Sequence, residues 1–181
     1  MSAELGPDWR SYFATFDPIP FASASIGQVH RATLSPTISP STPYRSVAVK
    51  VQFPNVKSSI HSDLRNLSLL LHTSRLLPRG LFLDSSLAAM AAELDDECNY
   101  VYEANAARRF KTLLEGDPRF DVMSVVNELS TTNVLTMQRM EGIPIVRAMN
   151  WSQATRDEVR NTKLIISQLP DDSRIRLGRI S

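Results

Sequence analysis

The sequence predicts an α+β fold with a mainly antiparallel sheet, and three observations lead to this prediction. Residues 26–33 and 46–53 have the alternation and the β-branched content of strands. Apolar residues three or four positions apart begin at Val56, which is the spacing of one helix face. Strand and helix patterns then follow in separate runs, a strand pair, two helices, a second strand pair and a last helix, rather than in strict alternation.

The first two strand candidates predict a β-hairpin with a long connection. Ile26 and alternate residues after it share one face of the first strand, while the connection is rich in Pro, Ser and Thr. The second strand carries an apolar run at residues 47–49 that leads directly to Lys50. Before this hairpin, residues 6–20 form a short aromatic-rich segment whose closely spaced prolines argue against a continuing helix.

Two helices are predicted next. One apolar stripe defines the first helix, which ends before residues 78–80; its members are Val56, Ile60, Leu64, Leu67 and Leu71. The second helix begins after the N-cap residues 84–86, runs without interruption to about Leu114 and places Cys98 on its apolar face.

The C-terminal part predicts two short strands and one more helix. The strand candidates are residues 122–129 and 133–140, followed by a turn or hinge at 141–144. Residues 151–169 predict a helix, and residues 170–181 are a tail without periodicity.

Composition excludes several classes of function. The 181 residues carry 20 Lys+Arg against 19 Asp+Glu, so there is no basic footprint for nucleic acid. One cysteine and three scattered histidines predict neither a disulfide framework nor a metal site. No apolar run approaches the roughly 18 residues that span a bilayer. The glycines lie too far apart for a P-loop or a dinucleotide-binding loop.

The remaining candidate chemistry is a combination of three parts. A small-residue turn at residues 22–25 precedes a strand, Lys50 follows an apolar run on the next strand, and a helix brings Glu93, Glu97 and Glu103. In kinase-like sites such a turn covers the phosphates, the lysine contacts them, and a helix glutamate holds the lysine. Each part alone has a plainer interpretation, since edge lysines and solvent-facing helix glutamates are common.

Residues 21–32, with the sequence FASASIGQVHRA, resemble the UbiB family of atypical protein-kinase-like proteins. The similarity is greatest to the branch that acts in mitochondrial coenzyme Q biosynthesis, and it extends from about residue 6 to about residue 161. Further matching segments are residues 47–56, 60–67, 77–82, 93–100, 103–104, 110, 128–129, 134–136 and 142–144.

This resemblance implies the smaller, N-terminal lobe of a protein-kinase-like fold with an ATP site. In the family an Ala-rich loop covers the nucleotide, and the corresponding residues here are Ala22, Ser23, Ala24 and Ser25. Lys50 would contact the nucleotide and Glu103 would pair with it, while Glu97 would open the Glu-x-Asp motif of the family. Met140 would lie in the hinge beside the adenine. Which of the two glutamates meets Lys50 is left open, because six residues separate them on the predicted helix.

The sequence departs from the family pattern in four places. Ser23 stands for an alanine, and Asn99 stands for the aspartate of the Glu-x-Asp motif. The Lys-x-Gly-Gln helix of the family is absent from the sequence, as are the catalytic loop and the Asp-Phe-Gly triplet of the larger lobe. We therefore expect a chain truncated at both ends, with the larger lobe and its Mg²⁺ ligands missing. Residues 1–20 would be the remnant of an extension, 21–169 the smaller lobe and the start of the larger one, and 170–181 a non-matching tail.

The expected function is the ATP-binding portion of an atypical kinase-like ATPase that supports ubiquinone biosynthesis, inactive as this chain alone. By resemblance its partners are ATP or ADP, coenzyme Q biosynthetic proteins and inner-membrane lipid, at the matrix side of the mitochondrial inner membrane. Two other classes stay open: a non-catalytic module that docks on the full-length enzyme or its complex, and a structural α+β domain with a chance Ala-Ser turn.

Overall fold

The computed structural model describes residues 1–38, 44–74, 83–144, 151–153, 164–166 and 175–177. Its strands are β1 (Phe13–Phe16), β2 (Ala22–Ser23), β3 (Gly27–Leu34), β4 (Ser46–Gln52), β5 (Phe120–Val122), β6 (Val134–Gln138), β7 (Ile143–Pro144), β8 (Leu164–Ile166) and β9 (Ile175–Leu177). Its helices are α1 (Ser2–Leu5), α2 (Val56–Ser74), α3 (Leu83–Glu97) and α4 (Tyr100–Leu113). Two 3₁₀ turns are Trp9–Tyr12 and Asn127–Leu129. This content confirms the predicted α+β class.

The main sheet is antiparallel, with the order β1-β3-β4-β6 and with β2 paired to β3. Strands β3 and β4 pair from Gly27↔Gln52 to Thr33↔Ser46, which confirms the predicted hairpin. Strand β4 lies between β3 and β6, so its Val47 and Val49 are fully buried. The side chain of Lys50 belongs to the opposite face of this central strand, because successive residues of a strand alternate.

Each face of the main sheet has its own apolar core. The face that carries Val47 and Val49 packs against Trp9 and Phe13 of the N-terminal segment and Leu129. The other face, which carries Lys50, packs against α4; the core residues there include Tyr100, Ala104, Ala107, Leu135 and Met137. Ala104 and Ala107 lie one turn apart on α4, and their small side chains let the helix approach the sheet closely.

The predicted single helix, which begins after residues 84–86 and runs to about Leu114, is wrong, because the chain breaks it between α3 and α4. The Asn99 side chain accepts a hydrogen bond from the Val101 backbone N–H at 3.1 Å and so caps α4. The Tyr100 N–H donates to the Thr132 carbonyl at 2.9 Å, and the Gln52 amide donates to the Cys98 carbonyl at 2.9 Å. Tertiary hydrogen bonds therefore take up backbone groups that a continuous helix would use.

The predicted strand at residues 122–129 is also shorter than expected. Strand β5 ends at Val122, Val125 makes an isolated bridge to Met137, and residues 127–129 form a 3₁₀ turn. Ser130 explains this turn, because its hydroxyl donates to the Val126 carbonyl at 2.7 Å and competes with extended pairing.

A second, four-stranded sheet has the order β5-β8-β9-β7. Strand β8 pairs parallel to β5 and antiparallel to β9. Residues 164–166 were predicted to lie within the helix at 151–169, and 175–177 to belong to an irregular tail, so both predictions are wrong at these positions. Strand pairing with distant segments overrides the local pattern there. Residues 154–163 of the predicted helix lie outside the described residues.

Helix α2 is present, as predicted, and it contacts α3, which begins at Leu83 and so includes the residues predicted as an N-cap. Val56 and Ile60 of α2 pack on the sheet core, whereas Leu69 and Leu70 are exposed. In the described part of the chain, no helix has the length and apolarity needed to cross a bilayer.

Candidate functional site

The site is organised by one lateral row of residues across the main sheet. Ala22 pairs with Val29, Val29 with Lys50, and Lys50 with Leu135. Residues directly opposite one another on neighbouring strands project from the same face. The first residue of the Ala-rich segment and the lysine therefore share a face and stand two strands apart, or about 10 Å.

Lys50 is buried and forms an ion pair with Glu103 on the first turn of α4. Its Nζ lies 2.6 Å from the Oε2 of Glu103, and the two side chains are 11% and 12% exposed. Removing an ammonium group from water is unfavourable unless a carboxylate compensates it. The structure thus pairs Lys50 with Glu103, the partner that the resemblance implies.

Tyr100 completes this cluster, and the sequence analysis missed it. Its ring centroid lies 4.6 Å from the Lys50 Nζ, an attractive cation–π distance. Burial and the charge of Glu103 raise the pKa of the Tyr100 phenol, so the hydroxyl stays protonated. The signal was present in the sequence, since Tyr100 and Glu103 are three residues apart and lie on the same side of a helix.

Gly27 lies against the hydroxyl end of the same tyrosine. A Cβ at this position would stand 2.8 Å from the Tyr100 Oη and 2.5 Å from the Val51 carbonyl oxygen. Side-chain atoms do not fit in that space, so a glycine is required where β3 begins. Gly27, the Val51 backbone and the Tyr100 hydroxyl therefore lie close together in the site.

The Ala-rich segment is a tight hairpin rather than a free loop. Ala22 and Ser23 form β2 against β3, and the Ala24 N–H donates to the Gly27 carbonyl at 2.8 Å. Ser23 and Ser25 are exposed, whereas Ala22 and Ala24 are half-buried. The segment therefore presents small side chains and a short backbone turn at the edge of the sheet.

The other two predicted site residues, Glu97 and Met140, differ in burial. Glu97 is exposed at the end of α3, on the other side of the Asn99 cap, so the spacing of the two glutamates on one helix does not apply. Met140 follows β6, is half-buried and packs against the core that contains Tyr100. The nucleotide-binding roles of these residues remain predictions.

Two further reactive side chains, Cys98 and His30, lie on opposite faces of the sheet. Cys98 is a core residue, as expected, and burial raises the pKa of its thiol. His30 lies on the opposite face of the sheet, where it stacks on Phe16 and donates from Nδ1 to the Asp17 carbonyl at 2.9 Å. A cavity of about 340 Å³ lined by Trp9 and His30 also lies on that face.

Comparisons with known proteins show the family of the chain. The family model described as the ABC1 atypical kinase-like domain matches residues 1–171. Over 157 residues the chain is 48% identical to "Atypical kinase COQ8, mitochondrial" of Saccharomyces cerevisiae, covering 87% of this chain and 30% of that protein. Over 159 residues it is 44% identical to "Atypical kinase COQ8B, mitochondrial" of Danio rerio, covering 88% and 24%.

A solved structure gives the same picture of the fold. The complex of Rv3197 with erythromycin from Mycobacterium tuberculosis matches with a TM-score of 0.69 and 30% identity, over 86% of this chain and 38% of that one. The chain spans only about a quarter to a third of the curated relatives named above.

Proposed function

Because the chain belongs to the ABC1 atypical kinase-like family, we propose that it forms the part of an ATP site that holds the phosphates. The observation that carries this proposal is the buried Lys50–Glu103 pair in register with Ala22 of the Ala-rich hairpin. Kinase-like sites combine a covering turn, a strand lysine and a helix glutamate in this arrangement. The chain is similar to mitochondrial proteins named atypical kinases, and this similarity supports an ATP site.

Each residue has a defined task in this proposal. Lys50 provides a fixed positive charge for the α- and β-phosphates, and Glu103 holds that charge in place and compensates its burial. The hairpin of residues 22–25 covers the phosphates with backbone and small side chains, and Met140 lines the adenine end. Glu97, exposed at the end of α3, would act at the rim of the site.

The proposal extends to the cellular role of the whole protein. It would be an atypical kinase-like ATPase of mitochondria that supports ubiquinone biosynthesis and works with coenzyme Q biosynthetic proteins at the matrix side of the inner membrane and its lipid. Support comes from the similarity to the mitochondrial COQ8 proteins. The 181 residues contain no Asp-Phe-Gly triplet, the source of metal ligands in kinases, so we expect negligible ATP turnover by this chain alone.

The decisive experiment measures ATP binding by the 181-residue chain and by Lys50→Ala, with calorimetry or competition against a fluorescent nucleotide. We expect binding that Lys50→Ala weakens at least tenfold, while Lys57→Ala, an exposed lysine on α2, leaves it unchanged. Equal affinities of the wild type and Lys50→Ala would refute the proposal, as would a wild-type chain that binds no ATP. Turnover that disappears in Lys50→Ala would contradict the expected inactivity.

A second candidate function is a non-catalytic docking module, and exposed apolar side chains favour it. Leu69 and Leu70 of α2 are 69% and 66% exposed, and Leu113 of α4 is 67% exposed. Such side chains are typical of surfaces that bind another protein segment. This function predicts a stable heteromer with the full-length enzyme that survives Lys50→Ala and is lost when these leucines are changed to serine.

A further inference from the structure

We propose that Tyr100 is a positioning residue that sets the lateral position of Lys50 relative to the Ala-rich hairpin. This inference rests on the proposed ATP site and names a residue that the kinase-like arrangement of turn, lysine and glutamate does not include. The Glu103 carboxylate contacts the Lys50 ammonium on one side, and the ring of Tyr100 contacts it on a second side.

The first argument is the arrangement around the ammonium group. The Lys50 Nζ lies 2.6 Å from the Glu103 Oε2 and 4.6 Å from the Tyr100 ring centroid. A lysine side chain has four rotatable bonds, and one ion pair leaves its ammonium group free to swing about the carboxylate. A π face on a second side restricts that movement and attracts the cation.

The second argument is that Tyr100 joins the lysine to the base of the hairpin. Its ring faces Lys50, while its hydroxyl reaches the backbone of Gly27, the residue that follows the hairpin and begins β3. The position of Tyr100 is itself fixed, because its N–H donates to the Thr132 carbonyl and Asn99 caps the helix that it starts. One rigid aromatic side chain therefore spans the space between the ammonium group and the phosphate-covering turn.

The third argument concerns the hydroxyl. Tyr100 is 1% exposed, and among the described residues its buried Oη has no hydrogen-bond partner. The proposed positioning therefore depends on the aromatic ring and the length of the side chain, and not on a hydrogen bond of the hydroxyl. We expect Tyr100→Phe to keep the positioning, whereas Tyr100→Leu and Tyr100→Met remove the π face and keep an apolar side chain.

The test separates positioning from general stability. ATP and adenosine affinities are measured for the 181-residue chain carrying each substitution; adenosine lacks the phosphates that Lys50 contacts. Tyr100→Leu and Tyr100→Met should weaken ATP roughly fivefold or more and change adenosine less than twofold, since a cation–π contact is worth about this factor. Tyr100→Phe should stay within twofold for both ligands. Tyr102→Leu, an exposed tyrosine on the same turn, is the matched control.

A second measurement needs no nucleotide. In NMR spectra the ring should shield the ε-methylene protons of Lys50, and this upfield shift should persist in Tyr100→Phe and vanish in Tyr100→Leu and Tyr100→Met. Retention of the shift in the last two variants would overturn the inference directly.

The outcomes distinguish the inference from the function on which it rests. Loss of ATP binding in Lys50→Ala with unchanged ATP binding in Tyr100→Leu and Tyr100→Met overturns the role of Tyr100 and leaves the ATP site standing. Equal losses for ATP and adenosine also overturn it, because they indicate general damage to the site. Unchanged ATP binding in Lys50→Ala removes the proposed function, and the role of Tyr100 with it.

Discussion

Two regions of the molecule, the main sheet with α4 and the helical hairpin formed by α2 and α3, differ in the interactions that fix their positions. Around Lys50, a charged pair is enclosed by core residues such as Tyr100 and Leu135, which are 1% and 0% exposed. Helix α3 has no buried residue, and its contacts with α2 include surface links between Asp95 and both Lys57 and His61. The first region is thus held by close packing around a buried ion pair. The second is anchored to the core through Val56 and Ile60 of α2, and α3 adds solvent-exposed charge contacts to α2.

This difference shows which region can hold a charged side chain in one fixed position, as a binding site requires. Packed neighbours hold the two charged groups of a buried ion pair in one relative position. Exposed ion pairs contribute roughly 0–1 kcal/mol and are screened by salt, so they hold a side chain in place only weakly. The candidate site lies in the first of the two regions, between the main sheet and α4, where buried neighbours hold Lys50 and Glu103 in place. The four predictions that follow probe this contrast.

The largest effect is expected when the buried pair loses its carboxylate. Glu103→Ala should lower the free energy of unfolding by about 3–5 kcal/mol, because it leaves the Lys50 ammonium buried and uncompensated. Urea unfolding monitored by circular dichroism measures this change. Glu97→Ala is the control, with an expected change below about 0.5 kcal/mol at an exposed position. Similar losses in both variants would show that Glu103 is not the compensating group.

Apolar truncation should separate the two regions almost as strongly. Leu135→Ala leaves a cavity beside Lys50, its cross-strand neighbour, and should cost about 2–5 kcal/mol. Leu70→Ala removes the same atoms from an exposed position on α2 and should change stability by less than about 0.5 kcal/mol. Thermal unfolding of the two variants in parallel provides the comparison. An equal loss for Leu70→Ala would mean that the hairpin is packed as firmly as the core.

The junction between the two regions depends on one cap. Asn99→Ala removes the acceptor of the Val101 N–H and should cost about 1 kcal/mol. Asn99→Asp keeps an oxygen acceptor there and should remain within a few tenths of a kcal/mol. Chemical denaturation gives both values. A loss in Asn99→Asp as large as that in Asn99→Ala would indicate that the amide makes a different essential contact.

The smallest effect is a pH dependence of the α2–α3 hairpin that depends on Asp95. Lys57 first, and His61 second, hold the pKa of Asp95 below its usual value. A carboxyl whose pKa is lowered by folding stabilises the folded state above its unfolded pKa of about 4, and this stabilisation is lost as the pH falls through the lower folded value. Hydrogen exchange should therefore show easier opening of the hairpin below about pH 4.

Asp95→Asn should remove this pH dependence, and high salt should reduce it in the wild type. Asp96→Asn, the neighbouring exposed position, is the matched control and should leave the dependence intact. Persistence of the acid response in Asp95→Asn would assign it to another group.

Much of this organisation could be predicted from the local pattern. The β3–β4 hairpin follows from alternation, and Lys50 follows from its place after an apolar run. The uninterrupted helix through Cys98 was wrong because local periodicity carries no information about Thr132 or Gln52, whose hydrogen bonds break it. The strand at residues 164–166 was missed for a similar reason, since its pairing with β5 lies some forty residues away.

The sequence by itself determined the class of fold, and residue type with short-range spacing picked out Lys50, three helix glutamates and the small-residue turn. The resemblance to the family then reduced the glutamates to Glu97 and Glu103. Only the tertiary structure decided that Glu103 rather than Glu97 meets Lys50 and that Tyr100 stands between Lys50 and Gly27. The physical reason is strand register together with the Asn99 cap. Register brings Ala22, Val29 and Lys50 into one row, and the cap restarts the helix so that one turn of α4 faces that row.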